Sequence, residues 1–427
     1  MKKPKQLGPE LPARRGLIDS LISPAEDAAS SALIPRGGAS ICEDFPRCAG
    51  CAYQHISYEY EARLKEQALR AILTGPELPG RAVTANSFEG LVPSPSAAAY
   101  RNKMEYSFGD SGKDTQLELG MRVRGRFYEV VTSKCCNIVD ADFRAIVSET
   151  LNFFRRLGTP FYRKTDGTGT LRNLIIRKGF FTNEILVNLV TTPRIDGACP
   201  EEYAARLSGL RLGGHLRGIL HTINSSPADA VKCDALRALS GDPFLTERLC
   251  GLTFKISPFS FFQTNSECAQ KLYETVRDFA RPRGKIAYDL YCGTGVIAQI
   301  LAKDAAHVTG VELLEEAVEA AGQNAALNGV ANCAFAAGDV LAVLDKLGGA
   351  PDLIVLDPPR DGVNPRALRK IIALDVPEIV YVSCNPQSLV RDIAVFAEKG
   401  YTVSRARGHD MFPRTGHVET VALLTKA

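Results

Sequence analysis

No window of this 427-residue chain approaches the roughly 18 uncharged apolar residues that a membrane helix requires, which argues against an integral membrane protein. Its first residues, MKKPKQLGPELPARRG, have no apolar run behind their positive charge and so lack the pattern of a signal peptide. The twelve cysteines are therefore expected to be reduced thiols in a cytoplasmic protein, not a secreted disulfide framework. An excess of one charge is also missing. With 51 Lys and Arg against 48 Asp and Glu, the net +3 does not announce a nucleic-acid partner, and any basic surface must be local. Internal repeats and low-complexity segments are absent too. What is present is 45% hydrophobic and 23% charged residues, the composition of a chain with a real core. Its length exceeds what a single core usually supports, so two or three domains are expected.

The texture changes along the chain. Residues 1–40, rich in Pro, Ala, Ser and Arg without helical or strand periodicity, read as a mobile tail. Residues 41–97 hold Cys42, Cys48 and Cys51 within ten positions, then SYEYEARLKEQALRAIL, whose spaced leucines predict an amphipathic helix. Residues 98–254 carry short β-like runs broken by Gly and Asn (TLRNLIIRKG, NEILVNLVTT, LRGILHTINSS), the pattern of an antiparallel α+β domain. Residues 255–427 alternate short apolar runs (KIAYDLY, HVTGVE, DLIVLD, EIVYVS) with helical stretches, which predicts an α/β, Rossmann-like parallel sheet with helices on both faces. Such sheets bind ligands at the C-terminal ends of their strands.

DLYCGTGVIAQ places Asp289 at a strand end, then Gly293 and Gly295 in a tight turn, then a helix. Glycine admits close approach of a ligand to the backbone, and the helix N-terminus favours negative charge. Glu312 ends the next strand, where its carboxylate can accept hydrogen bonds from ribose hydroxyls. By glycine spacing alone a dinucleotide and S-adenosylmethionine are equally plausible. Downstream, Gly338-Asp339 follows the third strand, with Asp339 able to meet an adenine amino group, and DPPRDG (357–362) follows the fourth. A strand-end carboxylate followed by two prolines resembles the fourth motif of nucleic-acid methyltransferases, which favours S-adenosylmethionine.

YVSCNPQSL sets Cys384 at the end of another buried strand, before an Asn-Pro turn and a helix whose dipole is expected to favour thiolate. Carbon 5 of uracil is a poor nucleophile until a thiolate adds at carbon 6, and a base must afterwards remove the carbon 5 proton so that the thiolate can leave. Glu419, a lone acid opening the apolar strand in RTGHVETVALL, suits that base, because burial would raise its pKa. Cytosine is the nearest rival base, but cytosine-5 enzymes usually carry Pro-Cys where this chain has Pro358 and Pro359. A non-catalytic RNA-binding scaffold is the rival from another class.

Together DLYCGTG, GVE, DPPRDG, VSCNP, RTGHVET and SPFSFFQTN (257–265) resemble the RNA uracil-5-methyltransferase family over some nine tenths of the chain. The N-terminal cysteines resemble its iron–sulfur branch, which modifies 23S ribosomal RNA. The resemblance implies a class I S-adenosylmethionine-dependent methyltransferase domain with a central α+β RNA-binding domain and an N-terminal iron–sulfur segment. It implies Cys384 as nucleophile, Glu419 as base, and Gln263, Tyr291, Glu312, Asp339 and Asp357 at the cofactor, with Phe261 stacking on a flipped base. Three thiolates at C-x5-C-x2-C need a fourth, and spacing alone does not separate zinc from a [4Fe-4S] cluster. The resemblance points to the cluster, with Cys136 in SKCCNIVDADF as fourth ligand and Cys135 as second choice. Transfer RNA stands as the alternative substrate, because the residues before Cys42 are too few for the small β-barrel that many ribosomal-RNA relatives carry.

RNA would meet residues 101–180, where 15 Lys or Arg face nine Asp or Glu. MRVRGRFYEV, read as one strand, puts Arg122, Arg124 and Arg126 on one face among Phe127 and Tyr128, suited to phosphates and unstacked bases.

Overall fold

A computed structural model describes residues 41–75, 83, 86–112, 115–195, 197–228 and 231–426. The expected tail, 1–40, lies outside the described residues.

Helix α1 (Tyr58–Leu73) starts at Ser57, whose side chain caps the N–H of Tyr60, and leads toward strand β1 (Phe88–Val92). A seven-stranded sheet follows, in the order β4-β3-β2-β5-β6-β7-β8. Its strands are β2 (Lys103–Gly109), β3 (Glu118–Val123), β4 (Arg126–Val131), β5 (Leu171–Lys178), β6 (Glu184–Thr191), β7 (His215–Ile223) and β8 (Ala235–Gly241). All neighbours are antiparallel except β6 and β7. Helices α2 (Ala141–Leu157) and α3 (Pro200–Ser208) contribute Phe143, Phe153, Phe154 and Tyr203 to its core.

The arginine stretch departs from its expected form. Gly125, at φ +74°, turns the chain between β3 and β4, so Arg122, Arg124 and Arg126 do not share one strand face. Arg126 pairs with Glu129 at 2.8 Å, while Arg124 donates to the carbonyls of Pro46, Cys48 and Cys51. The middle arginine therefore pins the cysteine loop.

A hairpin, β9 (Leu245–Leu249) and β10 (Leu252–Ile256), leads to α4 (Ser266–Ala280) and the larger sheet. Its strands are β11 (Ile286–Leu290), β12 (His307–Glu312), β13 (Cys333–Ala337), β14 (Leu353–Leu356), β15 (Glu378–Ser383), β16 (Tyr401–His409) and β17 (Glu419–Lys426), ordered β1-β16-β17-β15-β14-β11-β12-β13. The strands β13-β12-β11-β14-β15 run parallel, and β17 runs against both β15 and β16. Between strands lie α5 (Val296–Ala302), α6 (Glu315–Leu327), α7 (Val340–Val343), α8 (Pro365–Ala373) and α9 (Pro386–Ala397). Because helices cover both faces, the strands are apolar on both sides: Ile354 and Leu356 pack into one core, Leu353 and Val355 into the other. Strand β1 extends this sheet by pairing parallel with β16, so residues that precede the central domain in sequence belong to the larger sheet. Among the described residues no helix is long and apolar enough to cross a membrane.

Candidate active site

The order of the sheet reverses between β11 and β14, and the C-terminal ends of β11, β12, β14 and β15 meet at one rim. Strand β17 is antiparallel, so its first residue, Glu419, lies at that same rim. Its register pairs Ser383 with Thr420, the residues next to Cys384 and Glu419. Residues 35 apart in sequence are thus brought to adjacent strand ends, close enough for the Glu419 charge to act on the Cys384 thiol. Asp357 follows β14 on the adjacent strand.

These three groups feel one another. Burial raises the Glu419 carboxyl from 4.5 to about 8, with the Asp357 charge adding to it. Burial likewise lifts Asp357 to about 7. The helix-end position of Cys384 predicts a site that favours thiolate, and here the structure corrects the sequence. The thiol is pushed up to about 11, first by burial, then by Glu419 and Asp357, with Arg360 opposing. Two neighbouring carboxylates and desolvation outweigh the end of α9.

The glycine turn adjoins this cluster. Tyr291, Gly293 and Gly295 take positive φ of 67°, 52° and 73°. A Cβ at Gly295 would stand 2.7 Å from the Phe335 ring and 2.9 Å from Ala321, so the turn packs onto its neighbours only as glycine. Glu312 accepts the N–H groups of Gly293 and Leu314, both at 3.1 Å, and so braces the turn with part of its acceptor capacity. Asp339 caps α7 through the N–H of Leu341, 2.9 Å away. A cleft of about 560 Å³ runs between Tyr291, Asp339, Leu341, Pro359, Val363 and Arg391. Gln263 is buried at the foot of the SPFSFFQTN loop, which Arg177 anchors through the Pro258 and Ser260 carbonyls. Phe261, on the same loop, is 70% exposed and lies over Gly293. Of the expected cofactor residues, Tyr291 and Asp339 line this cleft, whereas Gln263, Glu312 and Asp357 do not.

Two further residues belong here. Asp289 is fully buried and accepts the N–H of Ala298 at 2.9 Å, so it ties the strand end to α5. Arg360 is the cation that acts on the Cys384 thiol, and after burial it is the next influence lowering His417. Its signal in the sequence is its place directly after Asp-Pro-Pro.

The chain is similar to known proteins. A family described as "Methyltransferase domain" matches residues 283–407. An uncharacterized RNA methyltransferase of Clostridium tetani is 48% identical over 90% of this chain and 83% of its own length. A second, from Clostridium acetobutylicum, is 45% identical over 92% and 85%. Among solved structures, the Pyrococcus abyssi tRNA (uracil-54, C5)-methyltransferase in complex with S-adenosyl-L-homocysteine superposes with a TM-score of 0.72 and 29% identity, covering 89% of this chain and 86% of that one. The chain belongs to the RNA uracil-5-methyltransferase family. It is an RNA methyltransferase with a class I S-adenosylmethionine-dependent fold.

In this methyltransferase the cysteines of the N-terminal segment also gather. Cys42 and Cys136 are buried, Cys48 and Cys51 half-buried, and Cys135 exposed. Burial lifts Cys42 to about 11 and Cys51 to about 12, and the Cys136 sulfur raises Cys42, Cys48 and Cys51 further. Cys135 instead feels Glu43 and Asp44. The Gly50 N–H and the Gln54 amide approach the Cys48 and Cys51 sulfurs at 3.4 Å each. Among the described residues no three His, Cys, Asp or Glu side chains form a group that could hold a metal ion.

Proposed function

We propose that this chain methylates carbon 5 of a uridine in 23S ribosomal RNA through a covalent adduct on Cys384. The observation that carries the reading is that the β15–β17 register brings Cys384 and Glu419 to adjacent strand ends at the rim that bears the glycine turn. S-adenosylmethionine, when bound, supplies the electrophilic methyl that carbon 5 takes up; Glu312 and Asp339 would hold its ribose and adenine, with Gln263, Tyr291 and Asp357 beside them. An acidic rim is a sensible host for a cationic sulfonium.

The Cys384 thiol releases its proton to solvent water, and the thiolate sulfur bonds to carbon 6 while the ring's double-bond electrons shift toward the carbonyl oxygen as an enolate. Arg360 favours the anionic sulfur, which desolvation and two carboxylates oppose. Once carbon 5 is methylated, the ionised Glu419 takes its remaining proton. The released electron pair forms the carbon 5–carbon 6 double bond, the carbon 6–sulfur bond breaks, and its pair returns to Cys384 as thiolate. A carboxyl near 8 is a stronger base than an ordinary glutamate once ionised. Phe261, exposed above Gly293, would stack on the flipped base.

Cys42, Cys48, Cys51 and Cys136 would hold a [4Fe-4S] cluster. The sulfurs raise one another's pKa, and N–H groups approach two of them, which suits a set of thiolate ligands. Transfer RNA is the second reading, because the Pyrococcus abyssi relative acts on tRNA. Mapping 5-methyluridine by mass spectrometry in ribosomal and transfer RNA from cells lacking the gene separates the two. Unchanged modification in both pools would defeat the proposal.

A further inference from the structure

Nine residues, 410–418, connect β16 to β17 and deliver Glu419 to the rim. They are gripped from outside the catalytic sheet's own helices. Lys65, on α1, is 0% exposed. Its ammonium pairs with Glu61 at 2.7 Å and Asp410 at 2.9 Å and donates to the Phe412 carbonyl at 3.3 Å. Glu61, one turn earlier, accepts the Arg414 N–H at 2.7 Å. The Arg414 guanidinium donates to the Ile56 carbonyl at 2.7 Å, and its own carbonyl accepts the N–H groups of Ala52 and Tyr53 at 2.7 and 3.2 Å. The stretch that follows Cys51 is thereby bonded directly to the loop that ends at Glu419.

A buried charge network is an inefficient way to stabilise a fold, because well-packed apolar residues often do as well or better. What such a network does impose is a single geometry. Two carboxylates and two cations balance, and removing any single member leaves an uncompensated buried charge.

We infer that Lys65 is a positioning residue for the base: with Glu61, Asp410 and Arg414 it couples the cysteine-bearing segment to the loop that aims Glu419 at the covalent adduct. The inference rests on the proposed role of Glu419. It predicts a selective defect, in which the adduct forms normally and resolves slowly.

The test uses the full-length enzyme and whichever RNA the wild type methylates, with adduct followed on denaturing gels and release followed separately. Lys65→Met alone leaves an excess buried negative charge and is expected to fold poorly. The double variant Lys65→Met with Asp410→Asn keeps the buried charge balanced. It should bind S-adenosylmethionine and form adduct as the wild type does, yet release product roughly 10- to 100-fold more slowly, the loss that an ångström of misplacement causes. Glu61→Gln, which keeps an acceptor for the Arg414 N–H, should show a smaller slowing of the same step and decides the matter should the double variant not fold. Release at the wild-type rate in the variants that fold, or parallel loss of adduct formation, cofactor binding and release, overturns the inference. Glu419→Gln is the control: its failure to accumulate adduct overturns the base assignment and this inference together, whereas adduct in Glu419→Gln without adduct in the network variants overturns the inference alone.

Discussion

Glu419→Gln removes one ionisable group from a site that disfavours its charge, and the consequence for stability is calculable. In the unfolded chain the carboxyl titrates near 4.5, and in the folded protein near 8. Between those values the folded state holds a proton that the unfolded state has released, so stability falls as pH rises across the window. At about 1.4 kcal/mol per pH unit, the full penalty above pH 8 is on the order of 5 kcal/mol. Glutamine keeps the shape without the charge. Denaturant unfolding of the cofactor-free protein should find the variant within about 1 kcal/mol of wild type at pH 5, and more stable by on the order of 4 kcal/mol at pH 9. The same difference at both pH values would refute the assignment of a buried, charge-averse carboxyl at this position. The same variant should accumulate covalent RNA adduct, because the carbon 5 proton then has no base.

Three other outcomes are expected. Cys384→Ala should abolish both adduct and methylation while leaving S-adenosylmethionine binding intact; turnover in a tritiated-methyl assay would end the covalent mechanism. Gly295→Ala, whose new methyl meets Phe335 at 2.7 Å in a left-handed turn, should cost roughly 1–3 kcal/mol and weaken cofactor binding tenfold or more, which calorimetry would measure. Cys136→Ser should remove the broad absorbance near 400 nm that an iron–sulfur protein shows after anaerobic purification, and Cys135→Ser should keep it; the reverse would exchange their roles.

Much of the larger sheet could be read along the chain because its signals are local. Each βα unit carries its own apolar run, its own turn and its own helix, so DLYCGTG, HVTGVE and DPPRDG could be set at strand ends without knowing what packs beside them. MRVRGRFYEV shows where that reading fails. One glycine at φ +74° converts an alternating strand into a hairpin, and Arg124 turns from a phosphate-facing side chain into the clasp of the cysteine loop. Cys384 shows another limit. Its helix-end position is visible in sequence, but its desolvation and its two carboxylate neighbours are not, and those decide the sign of its pKa shift.

The sequence by itself determined the classes of residue available at the rim, because the turn glycines, the strand-end carboxylates, Cys384 and Glu419 are each marked by neighbours a few positions away. Only the tertiary structure decided that Glu419 stands against Cys384, that β1 extends the catalytic sheet, and that Lys65 reaches Asp410 across 345 residues. Strand register, sheet order and burial are properties of chain segments that meet in space, and no local pattern encodes which of them will meet.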